Sequence, residues 1–233
     1  MLRFRELEHT SLYSGLGVRL VDDFTKADAF GPYTISVDIG DNGTFRELPG
    51  DVYQRTVTAG GITWFPWLEH YADARGKTAR EYRVRVTADH YTPAYAWDSE
   101  GVTTIIEPYD DVTEPGAFHP VIEIPLLPAA SYPFDARVPL LRGAIEDIFG
   151  DRVPLTRVTW IDTTFPAPVP PLVTDTVLSD ADGEFILPMS RAPLGVNVDV
   201  FARRPPPPFP GKQRKVSVSL PADLSTFHVI TIL

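Results

Sequence analysis

Apolar and polar residues alternate along most of the chain with the period of two that is typical of β-strands. The alternation is clearest, and carries β-branched residues, at positions 33–39, 81–88, 102–107, 156–162, 196–201, 215–220 and 228–233. Such alternation buries one face of a strand and leaves the other in water. Only residues 144–149 could pass locally as a helix, and the turn signal at Gly150-Asp151 favours a strand there too. The pattern predicts an all-β protein.

Short motifs recur in the same order in the two halves of the chain. The matched pairs of segments are 21–24 with 145–148, 61–66 with 183–188, 84–88 with 198–202, 105–108 with 218–221, and 118–124 with 227–232. A recurrence in one order predicts two copies of a single β-unit. Gly, Pro, Asp and Asn turns divide each copy into about seven short strands, the spacing of a Greek-key sandwich.

This repeat predicts four parts of the chain. They are an N-terminal segment at 1–14, a first β-sandwich at 15–126, a proline-rich linker at 127–139 and a second β-sandwich at 140–233.

Three segments of the second copy, at 142–148, 153–159 and 176–185, resemble the carboxypeptidase regulatory-like domain. The resemblance covers roughly residues 140–233 and implies a transthyretin-like (prealbumin-like) sandwich of seven strands. The first copy departs from the family pattern, because residues 58–61 stand in place of the family's acidic turn. The assignment of the first copy therefore rests on the internal repeat. The expected fold is two tandem seven-stranded Greek-key sandwiches of this type.

Composition narrows the functional classes. The chain has 233 residues with 24 Pro, no Cys and a formal net charge of −10. Proline costs about 3 kcal/mol inside a helix, which disfavours an all-helical fold. The lack of cysteine excludes disulfide scaffolds, thiolate metal sites and cysteine nucleophiles. The negative charge disfavours nucleic acid as a partner, since phosphate neutralisation needs a surplus of Lys and Arg.

The charges near the N-terminus predict a chain made in the cytoplasm without a signal peptide. Arg3, Arg5 and Glu6 leave no apolar core for such a peptide. The most apolar stretch, at 121–130, is interrupted by Glu123 and is shorter than the roughly 20 residues of a membrane helix. We therefore expect no membrane insertion, while incorporation into a particle stays open.

No cofactor or metal site is expected. Residues 179–184 bring carboxylates close together, but Gly183 comes too early for an EF-hand calcium loop. A hairpin turn with Gly183 at positive φ is the simpler interpretation. No two of the five histidines have the i, i+4 spacing of a helical zinc site.

The sequence also predicts that the chain is not an enzyme. It ends at 228–233 without the Tyr-Arg-Gly-Ser tail of transthyretin-like hydrolases, and it lacks the His-x-His pair of intradiol dioxygenases. No nucleophile elbow, phosphate loop or dinucleotide fingerprint occurs. A hydrolase would need a convergent set such as Asp89 with His90.

Aromatic and charged segments supply candidate interaction residues. The aromatic residues of segment 89–97 could form an exposed anchor or belong to a sandwich core. Acidic residues cluster at 98–114 and basic residues at 203–215, either as solvated loops or as complementary docking patches. The candidates are Tyr91, Tyr95, Trp97, Asp110, Asp111, Arg203 and Arg204.

Two functional hypotheses follow. The first is a non-catalytic structural or adaptor protein of a multiprotein assembly, such as an accessory component of a phage tail or contractile injection particle. Its partners would be other protein subunits, with a homo-oligomer as one option. The alternative is a glycan or cell-surface binding module that uses Tyr91, Tyr95 and Trp97 as a stacking platform.

Overall fold

The structure, a computed structural model, describes residues 16–38, 46–47, 56–57, 61–65, 80–106, 121–161, 173–192, 195, 197–204 and 213–232. Within these ranges the chain forms β-strands and two short 3-10 helices. The all-β class predicted from the alternation is confirmed. Residues 144–149 include the end of a strand and the start of a turn, as their context predicted. Gly150, in this turn, has a φ of 86°.

The first half of the chain contributes strands to two sheets. The strands are β1 (Gly17–Asp22), β2 (Tyr33–Asp38), β3 (Arg46–Glu47), β4 (Thr56–Val57), β5 (Ile62–Trp64), β6 (Arg80–Ala88), β7 (Tyr91–Pro93), β8 (Val102–Ile106) and β9 (Val121–Pro128). One sheet has the order β4-β5-β1-β9-β7, and the other has the order β3-β2-β6-β8. A 3-10 helix at Ala94–Trp97 follows β7 directly.

The second half of the chain forms two further sheets. The strands are β10 (Leu140–Glu146), β11 (Arg157–Ile161), β12 (Val173–Leu178), β13 (Glu184–Pro188), β14 (Asn197–Arg203), β15 (Gln213–Ser219) and β16 (Phe227–Thr231). One sheet has the order β13-β10-β16, in which β10 and β16 run parallel, and the other has the order β12-β11-β14-β15. The second 3-10 helix, at Ala222–Ser225, lies between β15 and β16.

The chain divides into two compact units. The first unit draws on Met1–Leu20, Ser36–Val84 and Thr103–Glu123, and the second on Val21–Ile35, Arg85–Val102 and Ile124–Leu233. The expected domain limits stay a prediction. The segment expected to be a linker, 127–139, contains the end of β9 and the buried side chain of Tyr132.

The core of the second unit explains the alternation seen in the sequence. Val198, Val200 and Ala202 of β14 are fully buried, and so are Val158 and Trp160 of β11. Large apolar side chains from the facing sheet complete the same cluster, among them Leu141, Ile145, Phe185 and Leu187. Burial of a large aliphatic or aromatic side chain contributes about 1.5–3 kcal/mol, so this cluster supplies a large favourable term for folding.

The acidic segment 179–184 is a turn. The Asp180 carboxylate accepts hydrogen bonds from the backbone N–H groups of Asp182 and Glu184, at 3.0 and 2.8 Å. Gly183 has a φ of 72°, as predicted, and a Cβ there would lie 2.9 Å from the carbonyl oxygen of Ile145. The Asp180 carboxylate therefore closes the turn that leads from β12 in one sheet to β13 in the other, so this turn is not the hairpin that the sequence suggested.

Candidate functional site

Within the described ranges, no group of three or more His, Asp or Glu side chains is placed to hold a metal ion. None of the helices in those ranges is both long enough and apolar enough to cross a membrane.

The most exposed apolar side chain of the described residues lies in the loop after β10. This loop, residues 147–151, is called the Phe149 loop below. The Asp147 carboxylate accepts hydrogen bonds from the backbone N–H groups of Phe149, at 2.8 Å, and Asp151, at 3.0 Å. The backbone of Asp147 also donates to the Asp151 carbonyl and accepts from Gly150, at 2.9 and 3.1 Å. One aspartate thus organises the whole loop.

The Phe149 loop presents its two apolar side chains to solvent. Phe149 is 83% exposed and Ile148 is 58% exposed. At the base of the loop, Glu146 and Arg152 form a β-bridge and an ion pair of 3.5 Å. A hydrogen-bonded loop with a closed base loses little conformational entropy on binding, so its geometry suits an apolar anchor.

Tyr91 and Trp97 do not form an exposed anchor. Their side chains are only 3% and 8% exposed, so the core interpretation of these aromatic residues holds for both. Tyr95 is partly buried, and its hydroxyl bonds to the backbone N–H and carbonyl of Val86, at 2.6 and 3.3 Å. Rings held in this way cannot serve together as a stacking platform for a glycan.

Trp97 connects segment 94–97 to the sheet of the second half. Its indole N–H donates to the carbonyl oxygen of Arg203 at 3.3 Å. The Arg157 guanidinium lies 4.0 Å from the centroid of the indole ring, and the Arg203 guanidinium lies 5.3 Å from it. Arg157 and Arg203 are paired residues on β11 and β14, which places both cations beside one ring. Leu127 and Leu178 pack against Trp97 in the same cluster.

The charge of Arg157, which lies beside the Trp97 ring, is partly desolvated. Burial lowers the pKa of Arg157, Asp98 opposes that shift, and the like charge of Arg203 adds to it. Two neighbouring guanidinium groups repel each other, and a tryptophan face offsets part of that repulsion through cation–π attraction of about 0.5–2 kcal/mol. Trp97 therefore contacts two cations as well as the apolar residues of its cluster.

A buried carboxylate organises the aromatic cluster next to β7. Asp22 is fully buried, and one of its oxygens accepts hydrogen bonds from the backbone N–H groups of Phe24 and Thr25, at 2.8 and 3.2 Å. The other oxygen accepts bonds from the hydroxyls of Tyr132 and Tyr91, at 2.7 and 3.3 Å. Four donors thus satisfy one carboxylate, as burial of a charge requires.

The two tyrosines of this network are held neutral. Burial raises the pKa of Tyr91 to about 12, and the nearby charge of Asp22 adds to the effect, while the hydrogen bond from Phe30 opposes it. Burial also raises the pKa of Tyr132, and the hydrogen bond to Asp22 adds to that shift. Ionisation of either hydroxyl would remove a donor and place a second anion beside Asp22.

We therefore expect the protein to lose stability at high pH. A tyrosine whose pKa is raised in the folded state contributes its full stabilisation below its ordinary pKa of 10.0 and loses it as the pH rises through about 12. The free energy of unfolding should fall in this interval, and tyrosinate absorbance should rise late. In Tyr91→Phe and Tyr132→Phe the fall should be shallower. An unchanged pH profile in both variants would contradict the network.

The charged candidates have a mixed outcome. Asp110 and Asp111 lie outside the described residues. Arg203 is exposed and Arg204 half-exposed, although the carbonyl and guanidinium of Arg203 are engaged with Trp97. Glu100, of the acidic stretch, forms an ion pair of 3.5 Å with Arg85 of the same chain. Part of the acidic charge of residues 98–114 is thus paired with a basic residue of the same chain.

The pair considered for hydrolysis does not form a catalytic arrangement in the described part of the chain. The His90 ring packs on Phe30 with centroids 5.9 Å apart, and its Nδ1 is buried without a partner there. The backbone N–H of Asp89 donates to Pro32 at 3.3 Å, and its carbonyl accepts from Ser131. No hydrogen bond between the Asp89 carboxylate and the His90 ring orders the pair in this part of the chain.

The exposed Phe149 loop was not among the candidates predicted from the sequence. Residues 144–149 were predicted as a strand that runs into a turn at Gly150-Asp151, so Ile148 and Phe149 were counted with the strand. The signal that could have found the loop is Asp147, three residues before Gly150. An aspartate in this position bonds to backbone N–H groups further along and begins a turn, so the apolar residues belong to the turn.

No protein-family model and no curated protein matches this chain. Among solved structures, it is similar to the Bacillus anthracis TIE protein, with 12% identity over 93% of this chain and 33% of that chain, at a TM-score of 0.29. A streptococcal ancillary pilin has 10% identity over 93% and 61% of the two chains, at a TM-score of 0.24. The shaft pilin SpaA from Lactobacillus rhamnosus GG has 8% identity over 93% and 96%, at 0.30. These low values carry no argument about function.

Proposed function

We propose that the chain is a non-catalytic structural or adaptor protein of a multiprotein assembly, and that it docks onto a partner subunit through the Phe149 loop. The observation that carries this proposal is the 83% exposure of Phe149 on a loop whose backbone is fixed by Asp147. An exposed large apolar side chain on a rigid loop gains free energy when a partner buries it.

The charge around the loop favours a protein as the partner. Asp147 and Asp151 flank the apolar pair, and Glu146 lies at the base, where Arg152 balances it. Carboxylates beside an apolar tip oppose insertion into a membrane with anionic lipids. They suit an apolar pocket whose rim carries Lys or Arg, because complementary rim charges accelerate and orient docking.

The proposal includes two tandem transthyretin-like sandwiches. The order of strands supports it: β5-β1-β9 and β3-β2-β6-β8 in the first half correspond in sequence order to β13-β10-β16 and β12-β11-β14-β15 in the second. Two halves of a chain with one order of connections are what a duplicated domain would produce. Repeated sandwiches without an ordered catalytic pair suit spacing and positioning of other subunits.

The specific assembly that we propose to test is a phage tail or contractile injection particle. Purified particles of that kind, analysed by quantitative mass spectrometry, should contain the chain in a fixed ratio to the other subunits. A chain absent from such particles would remove this assignment and leave the general adaptor function open to the experiments below.

Phe149→Ser should weaken binding to the partner without weakening the fold. Burial of a phenylalanine contributes about 1.5–3 kcal/mol, so its removal should raise the dissociation constant roughly ten- to a hundredfold. The measurement is affinity capture from the native cells with a tagged chain, in which recovery of each partner is compared between the variant and the wild type.

Ile105→Ser is the matched control. Ile105 is an exposed apolar residue of β8, 58% accessible, and lies outside the Phe149 loop. Its substitution should leave partner recovery unchanged, and neither variant should change the free energy of unfolding by more than about 0.5 kcal/mol, as is usual for surface sites. Equal losses in the two variants would argue against the loop as the docking site.

A further inference from the structure

Among the described residues, strand β16 has an edge that no other strand pairs with. It is the outer strand of the sheet β13-β10-β16, and it pairs with β10 along one side. The N–H of Ile232 donates to the carbonyl of Glu146 at 2.8 Å, so the backbone groups of every second residue before it face β10. The backbone groups of Val229 and Thr231 therefore face away, and no strand of the described residues pairs with them.

The outer face of β16 is apolar and uncharged. Phe227 and Val229 are each 52% exposed, while Ile230, a core residue of the same strand, is only 2% exposed. The strand contains Phe, His, Val, Ile and Thr, and neither proline nor a charged residue. An edge strand without proline or charged residues is open to the addition of another strand.

Strand β9 pairs with β1 as β16 pairs with β10, but β7 pairs with its last three residues, 126–128. Only the first residues of β9 form an edge among the described strands, and that edge is protected. Its first five residues have the same order of exposure as β16, so Glu123 corresponds to Val229 and Pro125 to Thr231. Glu123 carries a charge, paired with Arg19 at 3.0 Å, and Pro125 has no N–H to donate. Charge and proline are the usual protections of an edge strand.

This correspondence differs from the motif match made from the sequence. That match aligned residue 118 with Phe227, whereas the order of exposure aligns Val121 with Phe227. In the alignment by exposure, the two halves differ in the residues that protect an edge strand. A charge and a proline are present in the first half and missing from β16.

We propose that β16 pairs antiparallel with β16 of a second copy of this chain, around a two-fold axis at Val229. Val229 would then lie opposite Val229 of the other copy, and Phe227 opposite Thr231. Aromatic residues opposite β-branched residues stabilise antiparallel pairs. The two three-stranded sheets would join into one continuous sheet.

The residues of β16 favour a second copy as the occupant, because the strand is complementary to itself when it pairs antiparallel around Val229. The chain has a formal net charge of −10, so two copies repel each other over most of their surfaces. The five residues of β16 carry no charge, which makes this strand a place where two copies can meet without like charges facing each other. A two-fold contact also pairs the same surface with itself. The proposal does not depend on the Phe149 loop.

Sedimentation equilibrium tests the dimer. The wild type should have twice the 25.9 kDa mass of the chain, whereas Val229→Lys should be a monomer, because it places two like charges at the axis. Ile105→Lys, an equally exposed apolar position on β8, should remain a dimer. A monomeric wild type, or a dimer that persists in Val229→Lys, would overturn the proposal.

A single cysteine gives a second readout that does not depend on folding of the lysine variant. The chain has no cysteine, so Val229→Cys introduces one thiol per copy. Directly opposed residues of an antiparallel pair have Cα atoms about 4.5–5.5 Å apart, within the range that a disulfide spans. Mild oxidation should join Val229→Cys into a covalent dimer and leave Ile105→Cys monomeric. Equal cross-linking of both variants, or of neither, would contradict the pairing.

Discussion

Asp22→Ala should lower the free energy of unfolding by about 3–4 kcal/mol. The substitution removes the acceptor of two backbone N–H groups and of the Tyr91 and Tyr132 hydroxyls, all at a fully buried position. Each buried donor left without a partner costs about 1–3 kcal/mol. The saved desolvation of the carboxylate offsets part of the sum, and the hydroxyls can rotate toward other acceptors.

Urea unfolding followed by circular dichroism measures this effect, with Asp23→Ala as the control. Asp23 is adjacent in sequence, and its carboxylate forms an exposed ion pair of 2.6 Å with Lys26. Exposed ion pairs contribute about 0.2–1 kcal/mol, so the control should change stability little. Tyr132→Phe removes a single hydroxyl and should fall between the two. A loss at Asp22 no larger than that at Asp23 would contradict the assigned hydrogen-bond network.

Trp97→Ala should destabilise the protein by about 3–5 kcal/mol, the usual cost of truncating a buried aromatic side chain. The loss has three physical sources. The indole no longer packs on Leu127 and Leu178, its hydrogen bond to the Arg203 carbonyl is missing, and the guanidinium groups of Arg157 and Arg203 face each other without the ring.

Hydrogen exchange separates this local effect from general loss of stability. In Trp97→Ala, amides of β11 and β14 near Arg157 and Arg203 should exchange faster than those of the distant β13. Trp97→Phe keeps much of the apolar volume but loses the indole N–H, and should cost less than half as much. If Trp97→Ala cost under about 1 kcal/mol, the side chain would not be the packing residue that its burial indicates.

The period-two alternation predicted seven of the described strands, namely β2, β6, β8, β11, β14, β15 and β16, since burial of one face favours that period. The other described strands were not among the alternating segments. The turn at Gly183 was also predictable, because Asp and Gly at this spacing have few other conformations. The position of segment 89–97 was not. The local sequence is the same whether a partner or the core buries Tyr91 and Trp97. The contacts that bury Trp97 come from residues distant in sequence, at 127, 157, 178 and 203.

The exposed surfaces were less predictable than the core. Phe149 lies in a stretch that was predicted as a strand, and the hydrogen bonds of Asp147 show that it belongs to a turn. The free edge of β16 depends on which strands neighbour it, and the parallel pair of β10 and β16 joins segments more than 80 residues apart in sequence. Strands that pair across such a distance leave no local signal in the sequence, so only the structure shows which edge is exposed.

Site-specific photo-cross-linking in the native cells tests the proposed docking function most directly. A photoreactive phenylalanine analogue placed at Phe149 should give one or a few discrete adducts with a partner subunit, because that side chain is the proposed anchor. The same analogue at Ile105, which is also exposed, should give none of these adducts. If position 149 gave no adduct, or gave the same adducts as position 105, the Phe149 loop would not be the docking site.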